Sequence, residues 1–148
     1  MQSKYVLDTN ICLFFIRHED FRKGFAKLYP LDKSIFCVSS VTLGELNSLA
    51  KQSNWGENKI KIMDNFLNTV IELRISEKII EMYGTIDAYS QGKLAKRPLP
   101  TGMSARNMGK NDLWIAATTA VSNATLITAD NDFDHLDYEF IRIDKIQY

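Results

Sequence analysis

Four acidic residues stand where an α/β chain usually places its chemistry. Asp8 ends the short apolar run Lys4-Tyr5-Val6-Leu7, and Asp130 follows Leu126-Ile127-Thr128-Ala129. Runs this brief read as buried parallel strands, and residues just past their C-terminal ends face the crevice where such sheets bind ligands. Glu45 lies four residues after Val41 and four before Leu49, an acid on the flank of a helical apolar stripe. Asp112 falls in the first turn of a further expected helix, and joins the others if the segment before it folds over the sheet. Carboxylates gathered this closely repel one another unless a cation neutralises them. Oxygen ligands without an accompanying histidine or cysteine favour a hard ion, Mg²⁺ or Mn²⁺. The chemistry such a centre suits is in-line hydrolysis of a phosphodiester, with water as the nucleophile.

The elements that must deliver these acids are legible in order. The strand through Leu7 is followed by helices expected over 11–17, capped by Asn10, and over 19–29, ended by Pro30. Ser34–Val38 reads as the next strand, with Ser39 and Ser40 available to cap a helix over 41–53. Helical spacing returns over 58–68, a short strand over 70–73, and a helix opened by Ser76 to about 90. Asn111 is expected to cap a helix over 112–122. A strand over 124–128 and an edge strand over 139–143 complete the pattern. Alternation of strands and helices predicts an α/β fold with a mostly parallel sheet. No repeat or linker divides it, so residues 1–148 are expected to form one domain.

Composition narrows the setting. The chain has 148 residues, and its 18 basic and 18 acidic side chains cancel, so an anionic partner would need a local basic patch. Residues 88–111 supply one: Lys93, Lys96, Arg97, Arg106 and Lys110 without a single acid, among prolines and glycines. The segment is expected to be a long functional loop, with Arg106 and Lys110, nearest Asp112, contacting the phosphates of a nucleic-acid backbone. No run is long enough to span a bilayer and no leader pattern opens the chain, so a cytoplasmic location is expected. Cys12 and Cys37 are expected to be buried free thiols, His18 and His135 to lie on the surface, and Trp114 in the core. The alternation Asp130, Asp132, Asp134 does not make a calcium loop, because its sixth position is His135 and its twelfth Ile141.

Val6-Leu7-Asp8-Thr9-Asn10, Thr42-Leu43-Gly44-Glu45-Leu46, Asn111-Asp112-Leu113-Trp114-Ile115-Ala116-Ala117 and Leu126-Ile127-Thr128-Ala129-Asp130-Asn131-Asp132-Phe133 together resemble the four motifs of the PIN-domain nucleases. Within them the chain most resembles the VapC-type toxins of type II toxin–antitoxin systems. The resemblance implies a three-layer fold, a metal-dependent endoribonuclease, a homodimer and inhibition by a cognate antitoxin. It implies that Asp8, Glu45, Asp112 and Asp130 are catalytic metal ligands, with Asp132 at a further acidic position. Thr9, Asn10 and Thr128 match small polar positions that orient ligands and water. The basic loop is longer than in a minimal member. Two other readings stand beside this one: a non-catalytic PIN-like scaffold that binds RNA or protein, and an RNA-processing PIN nuclease without an antitoxin. A haloacid-dehalogenase type of phosphohydrolase needs a second acid two residues after its aspartate, where this chain has Asn10.

Overall fold

A computed structural model describes residues 1–148. Five strands form one sheet: β1 (Ser3–Leu7), β2 (Ser34–Ser39), β3 (Ile71–Leu73), β4 (Thr125–Thr128) and β5 (Arg142–Lys145). Their order is β3-β2-β1-β4-β5, and every pairing is parallel. The sheet is therefore wholly parallel, where the sequence promised a mostly parallel one. Six helices connect the strands: α1 (Thr9–Arg17), α2 (Glu19–Leu28), α3 (Ser40–Gln52), α4 (Glu57–Leu67), α5 (Glu77–Ser90) and α6 (Lys110–Val121). From β1 the chain builds outward through β2 and β3, then crosses to the other side of β1 for β4 and β5. The switch in direction lies between β1 and β4, and the ends of those two strands frame a crevice.

Both faces of the sheet are buried, and successive side chains along the strands divide between them. Val6, Cys37 and Leu126 point into a core shared with Ile79, Ile86 and Tyr89 of α5 and Leu113, Ile115, Ala116 and Ala117 of α6. Leu7, Phe36, Val38 and Ile127 point the other way, onto Ile11, Cys12 and Ile16 of α1, Phe21 and Phe25 of α2, Leu46 and Ala50 of α3, and Met63 and Phe66 of α4. Phe15 stacks edge-on against Phe21, Phe25 and Phe66 and binds α1, α2 and α4 together. Both cysteines are free and buried, as expected. The edges are short, and β5 is largely exposed and charged, which discourages pairing with another chain.

Several boundaries differ from the sequence reading for local reasons. Asp8, rather than Asn10, caps α1: its carboxylate accepts the Thr9 N–H at 2.8 Å, so the helix starts at the strand's end. Gly109, rather than Asn111, occupies the cap of α6, and Asn111 is already the second helical residue. The last strand runs 142–145 instead of 139–143, because residues 137–141 make a tight turn in which Tyr138 N–H donates to Ile141 O. Trp114 is half-buried, its ring against Tyr83 of α5. That contact, with the Arg106 N–H bonded to Ser90 O at 2.8 Å, shows α5 and α6 packed antiparallel. The long connection between them leaves the end of α5 and returns to it, as an Ω-loop does.

Candidate active site

The parallel sheet carries Asp8 and Asp130 to the same edge, on the adjacent strands β1 and β4. The Asp8 N–H donates to Ile127 O at 3.0 Å, so the backbone pairing that joins the strands also fixes the carboxylate's origin. Thr128, fully buried at the end of β4, bridges the two acids. Its hydroxyl donates to Asp8 Oδ2 at 2.7 Å and accepts the Asp130 N–H at 3.0 Å. Asp130 in turn accepts the Asp132 N–H on Oδ1 at 3.0 Å, closing a turn that brings the Asp132 carboxylate back to the centre.

Glu45 arrives from the second turn of α3. The Thr9 hydroxyl donates to Glu45 Oε1 at 2.7 Å and lies 3.2 Å from Thr42 Oγ1, itself buried one turn before Glu45. Asn10 ties the other side, its Oδ1 accepting the Ala129 N–H at 3.4 Å. Asp112 comes from the first turn of α6. Its carboxylate has no hydrogen-bonding partner.

Asp112, Asp130 and Asp132 each place an oxygen within 4.8 Å of the others, forming an acidic cluster able to hold a metal ion. Asp8 and Glu45 lie outside this tightest group, held beside it through Thr128 and Thr9. The electrostatics show the strain of the gathering. Burial, then Asp8, Asp130, Asp132 and Glu45, push the Asp112 carboxyl up to about 7. Burial raises Asp8 to about 6 against the opposing hydrogen bonds of Thr128 and Thr9, with Asp130 and Glu45 adding to the rise. None of the chain's ion pairs involves any of the five acids. An oxygen-only set with unbalanced negative charge fits a hard divalent cation.

The basic residues divide into two roles. Arg97 is structural: its guanidinium meets the Glu139 carboxylate at 3.1 Å and stacks over Phe140 at 4.1 Å, pinning the long loop to the 137–141 turn. Arg106 is exposed and lines a cavity with Asp132, whereas Lys110 is exposed at the start of α6 and lines no part of it. His135 corrects the sequence reading, for it is buried rather than on the surface. Its Nε2 lies 2.7 Å from Ser90 Oγ, and burial, then Arg106, lowers the ring to about 4. The acidic tract around it hid this placement; Phe133 and Leu136, both fully buried, turn the segment inward. Thr42 was also missed, because a threonine early in a helix carries no signal of its own. His18 is exposed, as expected.

Residues 5–138 match the family model of the PIN domain. The chain is 30% identical over 130 residues to Ribonuclease VapC2 of Haemophilus influenzae, covering 86% of each. It is 31% identical over 125 residues to Ribonuclease VapC2 of Rickettsia felis, covering 84% of each. The crystal structure of VapBC2 from Rickettsia felis, bound to a DNA fragment from its promoter, contains a chain that superposes with a TM-score of 0.76 at 26% identity. The match covers 96% of this chain and 98% of that one.

Proposed function

The chain belongs to the PIN-domain family and, within it, to the VapC ribonucleases of toxin–antitoxin systems, and from that membership we propose that it hydrolyses RNA at the carboxylate cluster with Mg²⁺ or Mn²⁺. The observation that carries this reading is the cluster itself: three carboxylates within 4.8 Å, none paired with a base, at the switch point of a parallel sheet. Asp112, Asp130 and Asp132 would hold the ion, with Asp8 and Glu45 completing its surroundings. The ion supplies positive charge against the phosphate oxygens and a more acidic water.

The chain's own residues do the rest. Thr128 holds the Asp8 carboxylate and the Asp130 backbone, and the Asp132 N–H holds the Asp130 carboxylate, so neither acid swings away when RNA binds. Thr9 holds Glu45, and Asn10 holds the turn after β4, so both keep the acids in place. Burial and mutual repulsion raise Asp8 and Asp112 to about 6 and 7 in the metal-free chain, and a cation held among the acids would draw both back to the charged form. Arg106 and Lys110 draw the RNA backbone toward the acids. In-line attack by water with the 3′-oxygen as leaving group, rather than attack by the neighbouring 2′-hydroxyl, leaves a 5′-phosphate and a 3′-hydroxyl.

One PIN domain accounts for residues 1–148, and the protein acts in the cytoplasm as a homodimer and as the toxin of a pair whose cognate antitoxin inhibits it. Antitoxin pairing is supported by the likeness to VapBC assemblies. The test is cleavage of RNA in Mg²⁺ or Mn²⁺ by the purified protein. Products should carry 5′-phosphates, and both a chelator and Asp8→Ala should abolish cutting. Cleavage that persists through either would remove the metal reading, and binding without cutting would favour an RNA-binding scaffold. Growth arrest on expression, relieved by the product of the neighbouring gene, tests the toxin assignment.

A further inference from the structure

Two cavities border the site's acids, one touching Asp132 and the other Glu45. One, of about 370 Å³, runs along residues 104–109 and ends on Asp132. The other, of about 490 Å³, lies along α3 and ends on Glu45 and Asn111. Each falls in the range of pockets that take small organic ligands. A strand crossing the carboxylates would pass from one to the other, with its phosphate at the acids and a nucleotide on either side.

The first cavity has the furniture to receive a base. Met108, nearly buried and braced by a 3.4 Å contact between its Sδ and Ser90 Oγ, gives it an apolar wall that a ring can stack on. Residues 104–109 belong to no helix or strand, so most of their backbone polar groups are free to meet a base edge. Asn107 is exposed and lines the cavity, and its amide combines a donor with an acceptor, the pattern that reads a base in pairs of hydrogen bonds. Arg106 stands beside it for the adjoining phosphate. The cavity's position is firm, because the Arg106 N–H bonds to Ser90 O and Arg97 anchors the same loop on Glu139 and Phe140.

We propose that RNA bound across the carboxylates seats one flanking base in the 104–109 cavity, where Asn107 reads it. The inference rests on the ribonuclease reading and sharpens its substrate. A base within an A-form duplex is stacked and paired, and its edge cannot enter such a cavity.

The experiment compares wild-type protein with Asn107→Ala on oligoribonucleotides that differ only at the nucleotides flanking the cut, each unpaired or annealed to a complement. In Mn²⁺ the wild type should favour one base at one flanking position by about tenfold or more, and should leave the duplexes intact. Asn107→Ala should compress that preference toward unity while melting at the wild-type temperature. A residue that merely shaped the loop would instead slow all four sequences by a common factor. An unchanged preference, or a common slowing, or duplex cut as fast as single strand, overturns the proposal and leaves the ribonuclease reading standing. No cleavage of any RNA by the wild type overturns both.

Discussion

Replacing Asp112 by Asn should make the metal-free protein more stable while abolishing its activity. The Asp112 carboxylate accepts no hydrogen bond in the chain, so its amide replacement forfeits no partner. The carboxylate's pKa stands at about 7 against an ordinary 3.8, a difference of about 3 units, or roughly 4 kcal/mol at full value. The group is only half-buried and salt screens its neighbours, which reduces the effect to about 1–2 kcal/mol. For a chain of this length that is a rise in melting temperature of about 2–8 °C. The sign depends on pH. A folded pKa above the unfolded one means that the folded state binds the extra proton between about pH 4 and 7, so stability falls as pH rises through that window. The gain from Asp112→Asn should therefore be full at pH 8 and fall to roughly 40% of that at pH 5, where the folded group is protonated but the unfolded one is still largely ionised. Melting curves in a chelator at both values test this. Added Mn²⁺ should then raise the wild-type curve well above that of the variant. A variant less stable than wild type at pH 8, or one shifted equally at both pH values, would refute the account of an acid held against its own repulsion.

Other substitutions separate positioning from support. Thr128→Val removes the hydroxyl between Asp8 and the Asp130 N–H, and should cost about 1–3 kcal/mol in denaturant unfolding, with a larger loss in kcat than in KM. Arg97→Ala should leave the acid cluster intact yet speed proteolysis within 91–109, and Arg97→Lys should fail to restore resistance because an ammonium cannot stack over Phe140 in the same way. His135 is held neutral with its pKa near 4, below its ordinary 6.5. Its share of stability is complete above about pH 6.5 and is lost as pH falls through about 4. Urea midpoints followed down that range should drop more steeply for wild type than for His135→Gln.

Much of the frame was legible in the chain because it rests on local pattern. Apolar runs such as Val6-Leu7 and Leu126-Ile127 announce strands buried on both faces, and a carboxylate straight after each run places itself at the sheet's edge. The sequence was weaker wherever a contact between distant segments decides. Asp8 and Asn10 are both good helix caps by type, and the choice between them follows from the β1–β4 pairing that brings the Ala129 N–H to Asn10. Asp132 read as an auxiliary acid, yet it belongs to the tightest group because its own backbone bonds to Asp130. Arg97 looked like one more base in a charged loop, and only Glu139 and Phe140, more than forty residues away, give it a structural role. His135 was misread for the same reason: Ser90, its partner, lies on another helix.

The order in which the site's residues emerge during synthesis has its own consequence. Asp8, Glu45 and Asp112 all precede β4, while Asp130 and Asp132 follow it, and β4 is the strand that covers the open side of β1. A nascent chain stopped before residue 125 has β1 unpaired along one side and lacks two of the three clustered carboxylates. The Thr128 bridge to Asp8, 120 positions apart, can close only after that late strand has left the ribosome and inserted. An unfinished copy of this ribonuclease is thus inert beside the message and the ribosomal RNA that are producing it, and the hazard begins only when translation of that copy is nearly done.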